Sequence, residues 1–252
     1  MKIIDFVLRI FFPEKCMFCG SITKGKEDFI CENCRQKVAF CQDLKCCRIC
    51  GKPQISLGEE DVCYPCLIKT FRPYKRATAV VKYNDETAGG IKRYKNGNGE
   101  IVGEVMGRLM AERVKAVFEG IHFDFITGIP PSDKRVIKRG FDPVAVLCRS
   151  LAKELNIHYE KRVIKKIKET KKQSSLDYEH RIRNMIGAFD IYDGIELKGK
   201  RILLVDDVMT TGATIEEGAY VLKKGGGKEI YAVTFATTTK EPKKFNEKSE
   251  KS

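Results

Sequence analysis

The sequence contains no apolar run of the roughly 20 residues that are needed to cross a bilayer. Its longest apolar stretch near the start, residues 3–12, is interrupted by Asp5 and Arg9. This stretch also lacks a small-residue cleavage site, so we expect no secretory signal. We interpret residues 3–12 as an amphipathic helix packed on the body of the protein, with peripheral membrane contact as the alternative. The sequence therefore predicts a cytoplasmic protein.

Tryptophan is absent, and the other aromatic residues form no repeated pattern. Proteins that bind single-stranded nucleic acid without sequence preference stack the bases on aromatic side chains along a basic groove. Phe141, Tyr159 and Tyr178 are the candidates for such stacking. Aromatic content therefore gives no evidence for nucleic-acid binding, which has to be argued from charge.

Positive charge is plentiful and unevenly distributed, with a formal net charge of +13. Residues 1–75 carry 13 basic and 9 acidic side chains, whereas residues 133–183 carry 15 basic and 7 acidic ones. One fifth of the chain thus holds most of the surplus. Like charges at this density repel each other unless an anion offsets them, which favours a polyanionic ligand for residues 133–183.

The 11 cysteines indicate metal binding rather than a disulfide framework, because a cytosolic protein is kept reduced. Eight of them form four CxxC pairs whose first cysteines are 15, 16 and 16 residues apart. Two such pairs complete the tetrahedral thiolate shell that zinc prefers. The first and third pairs precede glycine, which favours two consecutive zinc ribbons; an interleaved pairing is the alternative. The predicted ligands of two structural zinc ions are Cys16, Cys19, Cys31, Cys34, Cys47, Cys50, Cys63 and Cys66.

The cysteine-rich segment is a weak candidate for the main phosphate-binding surface. Each zinc ion with four thiolates carries a net charge of −2, so two sites cancel the formal +4 of residues 1–75. The remaining cysteines, Cys41, Cys46 and Cys148, are predicted to be packing residues.

Apolar strands alternate with helical patterns downstream of the cysteines, as in a parallel α/β sheet flanked by helices. The predicted strands are residues 77–83, 123–130, 201–206 and 229–237, and the predicted helices are residues 100–118, 142–155 and 213–226. Asp142 is the expected N-cap of the second helix, with Pro143 at its first position.

These patterns predict three zones. An N-terminal helix and a double zinc ribbon occupy residues 1–70, and the α/β domain occupies residues 71–239. Residues 240–252 are charged and nearly devoid of apolar side chains, so we expect this tail to be disordered.

Two adjacent carboxylates, Asp206 and Asp207, follow a continuous apolar run. The carboxyl ends of parallel strands form the ligand-binding edge of an α/β sheet, so we expect both carboxylates there. Such a pair can accept hydrogen bonds from the vicinal hydroxyls of a ribose or bind Mg²⁺. Residues 210–214 are small or carry hydroxyl groups and lead into a helix, which suits a phosphate. A buried strand before an Asp-capped helix is the alternative, but it leaves the second Asp and the doubled Thr unexplained.

VDDVMTTGAT, residues 205–214, resembles the phosphoribosyl pyrophosphate (PRPP) signature of type I phosphoribosyltransferases. This resemblance implies that Asp206 and Asp207 bind the ribose hydroxyls and stabilise the ribosyl cation during catalysis. It also implies that the following loop surrounds the 5-phosphate through Thr210, Thr211, Gly212, Ala213 and Thr214. Together with the cysteine pairs, nearly the whole chain except the tail resembles the ComF/ComFC family, which is associated with DNA uptake in natural competence.

The same resemblance places a pyrophosphate loop at residues 128–143, so Pro131, Ser132 and Arg139 are expected to contact PRPP. Asp142 stands where the ComF family has an Asn-like residue, which keeps helix capping but loses a donor, so we expect no direct ligand contact from it. Lys95 lies in a segment that resembles another ComF element and is expected to face the ligand cleft. An ordinary solvated lysine is its alternative.

Residues 161–172 contain seven basic side chains and one acidic side chain, more than a pyrophosphate requires. The surplus suits single-stranded DNA, whose backbone requires an extended positive track. A solvated surface is the alternative for each individual lysine. The tentative nucleic-acid contacts are Lys95, Lys165, Lys166, Lys168, Lys171, Lys172 and Arg183.

Two functions from different classes follow from these motifs. As an enzyme, the protein would hold PRPP with Mg²⁺ while a nucleophile attacks the anomeric carbon and pyrophosphate leaves. As a binding module, it would sense PRPP and guide incoming single-stranded DNA to cytoplasmic competence proteins. No segment specifies an acceptor for the transferred group.

Overall fold

A computed structural model describes residues 14–23, 29–54, 57, 60–96, 99–168 and 178–239, without the side chains of residues 178, 179, 181 and 182. The predicted N-terminal helix and the predicted tail lie outside these residues, and so do Lys171 and Lys172. Within the described part of the chain, no helix combines the length and the apolarity that a membrane span requires.

Four parallel strands form the central sheet in the order β1-β6-β5-β2, and β3 and β4 form a separate antiparallel pair. The predicted α/β fold with a parallel sheet is therefore confirmed. The strands are β1 (Arg76–Lys82), β2 (Phe125–Gly128), β3 (Ile164–Lys166), β4 (Phe189–Ile191), β5 (Arg201–Met209) and β6 (Glu229–Thr237).

Among the described residues, two short helices belong to the cysteine-rich segment, and six flank or follow the strands of the sheet. The helices are α1 (Glu32–Lys37), α2 (Tyr64–Leu67), α3 (Asp85–Asn96), α4 (Gly99–Val117), α5 (Asp133–Arg139), α6 (Pro143–Leu155), α7 (Tyr178–Met185) and α8 (Ala213–Lys224). A 3₁₀ turn lies at Cys41–Asp43. Asp142 caps α6 as predicted, because its Oδ1 accepts a hydrogen bond from the Ala145 amide at 3.1 Å.

Two hydrophobic layers enclose the sheet, which explains the continuous apolar run of β5. Leu203 and Val205 pack in the layer that contains α4 and α6, whereas Ile202 and Leu204 pack in the layer that contains α8. All four side chains are fully buried. Successive side chains of a strand point to opposite faces, so a strand covered on both faces is apolar at every position.

β5 extends three residues beyond its predicted end at Asp206. Its register with β6 continues through Asp206 opposite Thr234 to Met209 opposite Thr237, so the two carboxylates lie within the strand. The pairing with β6 satisfies the backbone here although the side chains are polar. Residues 133–139, predicted as part of a loop, form α5.

The cysteine-rich segment covers the open edge of the sheet at β1. The Ala77 amide donates to the Ile49 carbonyl at 2.7 Å, and the Lys82 amide donates to the Ala39 carbonyl at 2.8 Å. The edge of a sheet exposes unpaired backbone groups, and these bonds satisfy part of that edge. The cysteine-rich segment is therefore hydrogen-bonded along β1.

Candidate functional site

A cleft of about 840 Å³ opens at the carboxyl ends of the central strands. Tyr83 follows β1, Pro131 follows β2, and Thr238 follows β6, and all three contribute to its wall. Asp206 and Asp207 line it from β5. The parallel topology therefore gathers four chain segments that are distant in sequence at the edge where α/β proteins bind ligands.

The two carboxylates differ in burial and in partners. Asp206 is 8% exposed and accepts a hydrogen bond from the Asp207 amide at 2.8 Å. Asp207 Oδ2 lies 2.7 Å from the Lys95 ammonium. Burial, followed by repulsion from the Asp207 carboxylate, raises the pKa of Asp206 to about 8, against the opposing effects of the Asp207 amide and Lys95. The Asp206 carboxyl therefore ionises less readily than an exposed aspartate, and a cation bound beside it would favour the ionised form.

The loop between β5 and α8 turns sharply at Gly212. Gly212 has φ +95°, a conformation that favours glycine, and it precedes the first turn of α8. Thr211 Oγ1 accepts a hydrogen bond from the Ala213 amide at 3.2 Å. Thr210 and Thr214 line the cleft beside the two carboxylates. The positive end of α8 is thus directed towards this part of the cleft.

The predicted pyrophosphate loop contributes only some of its residues to the cleft. Pro131 and Arg139 line it, and Arg135 on the same face of α5 lines it as well. Ser132 is 8% exposed at the start of α5, where its carbonyl accepts from the amides of Arg135 at 2.9 Å and Val136 at 3.2 Å. Ser132 therefore shapes the turn, whereas the side chains of α5 supply the charge.

Five cationic side chains of the described residues line the cleft together with the two carboxylates, namely Lys92, Lys95, Arg135, Arg139 and Lys166. Lys92 and Lys95 lie three residues apart on α3, which places both on one face of that helix. Lys92 and Arg135 were not among the site residues predicted from the sequence. Lys92 lies three residues before Lys95, and Arg135 lies four residues before Arg139. A prediction of α3 and α5 from the sequence would have indicated both residues.

The structure describes five of the seven tentative nucleic-acid residues, and their surroundings differ. Lys95 and Lys166 belong to the cleft wall, and Lys165 Nζ lies 3.8 Å from Asp190 and 3.9 Å from Asp193. Lys168 Nζ lies 3.5 Å from the Ile186 carbonyl, and Arg183 is exposed on α7. Asp190 and Asp193, which lie outside residues 133–183, reduce the net positive charge around Lys165.

One candidate aromatic platform is a packing residue. The Phe141 ring lies edge-on to Tyr94, with a centroid distance of 6.1 Å, and it packs closely on the backbone of Gly99 at the start of α4. Tyr159 is partly buried against the main core, and the Tyr178 side chain is not described. Phe141 therefore helps to hold α3, α4 and α6 together.

The cysteine pairs meet in the consecutive arrangement. One cluster consists of Cys16, Cys19, Cys31 and Cys34, and the other of Cys47, Cys50, Cys63 and Cys66; within each, the four Sγ atoms lie within 4.8 Å of one another. Zinc–sulfur bonds of about 2.3 Å in a tetrahedron require sulfur atoms about 3.8 Å apart. The Cys19–Cys31 and Cys50–Cys63 Sγ distances are 3.6 and 3.7 Å. Both clusters therefore have the donor set and the spacing of structural zinc sites.

The remaining cysteines have packing environments. Cys46 Sγ donates to the Cys41 carbonyl at 3.3 Å, and Cys41 is 1% exposed. Cys148 is fully buried in the core, and its sulfur would lie 2.9 Å from a Cβ at Gly128. None of the three belongs to the clusters found among the described residues.

Comparison with known proteins identifies both parts of the chain. A phosphoribosyl transferase domain model matches residues 99–251, and a double zinc ribbon domain model matches residues 7–67. The chain is 26% identical over 225 residues to the DNA utilization protein YhgH of Salmonella typhi, covering 86% of this chain and 94% of that protein. It is 25% identical over 224 residues to competence protein F of Haemophilus influenzae, covering 87% and 95%. It is 26% identical over 228 residues to competence protein ComFC of Streptococcus pneumoniae, covering 86% and 96%.

Proposed function

We propose, because the chain belongs to the phosphoribosyl transferase domain family, that its cleft binds PRPP with Mg²⁺ and that the protein acts in DNA uptake. The observation that carries this proposal is the placement of Asp206 and Asp207 beside the turn at the start of α8, within one cleft. Carboxylates accept hydrogen bonds from a sugar diol, and a helix N-terminus binds a phosphate. The relatives named for competence and DNA utilization support the cellular role.

The charge of the cleft wall suits a ligand with phosphates at both ends of a sugar. Arg135 and Arg139 project from α5 on the β2 side, and Lys92 and Lys95 project from α3 on the β1 side. Arginine forms paired hydrogen bonds with phosphate oxygens, and this geometry suits a pyrophosphate group. We assign the pyrophosphate of PRPP to the α5 side and its 5-phosphate to residues 210–214.

Asp206 and Asp207 have the oxygen ligands that Mg²⁺ prefers. Asp207 Oδ2 already forms an ion pair with the Lys95 ammonium. Bound Mg²⁺ would supply electrophilic assistance to the departing pyrophosphate. The residues of the chain would orient the ribose, stabilise the positive charge that develops on its anomeric carbon, and hold the leaving group through the two arginines. A nucleophile would form the new bond at that carbon as the bond to pyrophosphate breaks.

A second candidate function is a PRPP-sensing adaptor that binds single-stranded DNA. The basic helix α5 favours it, because Arg135 and Arg139 line the cleft while Lys134 and Lys138 are exposed on the same helix. Ile137 is 81% exposed between these lysines. A polyanion that leaves the cleft along α5 would meet both charge and apolar surface.

One experiment tests both functions. The protein is titrated with PRPP and Mg²⁺ by calorimetry and then incubated with purine bases, pyrimidine bases or single-stranded oligonucleotides while pyrophosphate is measured. Pyrophosphate release that depends on one acceptor supports the transferase, and binding without turnover on any acceptor supports the adaptor. If PRPP with Mg²⁺ does not bind, the proposed function is wrong.

A further inference from the structure

Lys52 connects the second zinc ribbon to the cleft. Its ammonium donates a hydrogen bond to the Thr210 carbonyl, and the Thr238 hydroxyl donates to the same oxygen at 3.1 Å. Lys52 is 4% exposed and is the one buried lysine or arginine in the described part of the chain. A buried ammonium is costly unless it has partners, so this side chain is held in place by specific contacts.

The first knuckle of the second ribbon leaves Lys52 little freedom of position. The Gly51 amide donates to the Cys47 carbonyl at 2.8 Å, and the Cys47 amide donates to the Lys52 carbonyl at 3.0 Å. Gly51 has φ +67°, and a Cβ on it would lie 2.5 Å from the Ala77 carbonyl oxygen. The knuckle that carries Lys52 therefore lies directly against the backbone of β1.

The contact at Thr210 sets the direction of the next amide. In a trans peptide the carbonyl and the following N–H point in opposite directions. A Thr210 carbonyl that faces Lys52 thus turns the Thr211 N–H to the opposite side of the loop. It also keeps a carbonyl oxygen, which would repel a phosphate, directed at an ammonium.

We propose that Lys52 is a positioning residue for the 5-phosphate subsite, so that the second zinc ribbon completes the ligand site of the α/β domain. This inference rests on the proposed function, because it assigns residues 210–214 to the 5-phosphate. It adds a residue from the zinc ribbon, which the PRPP signature does not include. Lys52 acts through the Thr210 carbonyl and is not assigned a contact with the ligand.

The test compares two ligands that probe different parts of the cleft, ribose 5-phosphate and pyrophosphate, each with Mg²⁺. In Lys52→Met the side chain keeps its length and loses the donor. Without this donor the Thr210 carbonyl can turn towards the bound phosphate and repel it, so we expect ribose 5-phosphate to bind about tenfold more weakly, or about 1.4 kcal/mol. Pyrophosphate should bind within about twofold of the unmodified protein. The matched control is Lys45→Met, at an exposed lysine of the same ribbon, which should change neither affinity.

Zinc content and melting temperature are measured on every variant. If a folded, zinc-loaded Lys52→Met binds both ligands more weakly by the same factor, Lys52 has a general structural role and the inference is overturned. Unchanged binding of both ligands also overturns it. If Lys52→Met does not fold, Thr238→Val removes the other donor to the same carbonyl from outside the ribbon. That variant must also lose ribose 5-phosphate selectively, and unchanged binding overturns the inference. An unmodified protein that binds pyrophosphate but no ribose 5-phosphate overturns both the inference and the assigned 5-phosphate subsite.

Discussion

The Lys95 ammonium lies 2.7 Å from Asp207 Oδ2, so a cation from α3 pairs with one of the two carboxylates of β5. The side chains are 25% and 13% exposed, which limits the screening of this pair by solvent. The first zinc ribbon supports the helix that carries Lys95, because the Arg93 guanidinium donates to the Phe18 carbonyl. The helix α3 thus contacts the first zinc ribbon through Arg93 and the cleft through Lys95.

Replacing Lys95 should alter the titration of Asp206. Lys95 lowers the pKa of Asp206, so Lys95→Met should raise that pKa further. At pH 7 less of the carboxylate would then be ionised, and we expect PRPP with Mg²⁺ to bind about tenfold more weakly. Calorimetry over a range of pH measures the shift. The control is Lys153→Met, at an exposed lysine of α6. If the midpoint of the Asp206 titration is the same in Lys95→Met as in the unmodified protein, the prediction is wrong.

Binding of PRPP with Mg²⁺ should become stronger as the pH rises towards about 8. Asp206, whose pKa is raised to about 8, has to lose its proton before it can bind a cation. Below that pH, affinity should fall by up to about tenfold per pH unit, and binding should release a proton. Calorimetry in buffers of different ionisation enthalpy counts the proton, and Asp206→Asn should abolish the pH dependence of binding.

The same raised pKa means that the contribution of Asp206 to folding stability is lost as pH rises from about 4 to about 8.

Removing both carboxylates should nearly abolish PRPP binding. Two charge-assisted hydrogen bonds of roughly 1.5 to 3 kcal/mol each predict that Asp206→Ala with Asp207→Ala costs about 3 to 6 kcal/mol of binding free energy. Asp193→Ala removes an exposed acid outside the cleft wall and serves as the control. Unchanged affinity in a folded double variant would refute the ligand assignment.

The tight contact at Gly51 predicts a large effect of a single methyl group. Gly51→Ala should destabilise the protein by more than about 2 kcal/mol, because the added Cβ adds a backbone clash to the strain of φ +67°. Gly140 has φ +78° with no atom within 4 Å of a Cβ, so Gly140→Ala isolates the strain and should cost about 1 kcal/mol. Denaturant unfolding measures both values. Equal losses would show that the ribbon is not fastened to β1 at this point.

Single-stranded DNA binding through α5 should depend on salt. If Lys134 and Lys138 each contact a phosphate, replacing both by Ala should lower the slope of log affinity against log salt by about 1.4. Fluorescence anisotropy with a labelled oligonucleotide between low and moderate salt measures the slope. The same change at Lys115 and Lys153, both exposed on other helices, is the control. If the α5 variant keeps the full slope, the DNA does not follow this helix.

Several features could be predicted from the amino-acid sequence because their causes are local. The helix cap at Asp142 needs only a side chain three residues from an amide, and the buried β5 run follows from burial on both faces. The regular CxxC spacing, with glycine after the first and third pairs, indicated consecutive metal clusters. The zone boundaries at residues 70 and 239 stay predictions.

Contacts between distant segments depended on the assembled fold. Strand pairing with β6 extended β5 through both aspartates, because backbone hydrogen bonds to a neighbouring strand outweigh the polarity of the side chains. Folding also brought Lys95 to Asp207, Lys52 to Thr210, and the acids of residues 190–193 to Lys165. Such pairs join residues that are far apart in the chain, and no local pattern specifies them. The amino-acid sequence thus indicated which ligand chemistry to expect. The geometry and the charge balance of the site depend on how the sheet, the helices and the ribbons pack together.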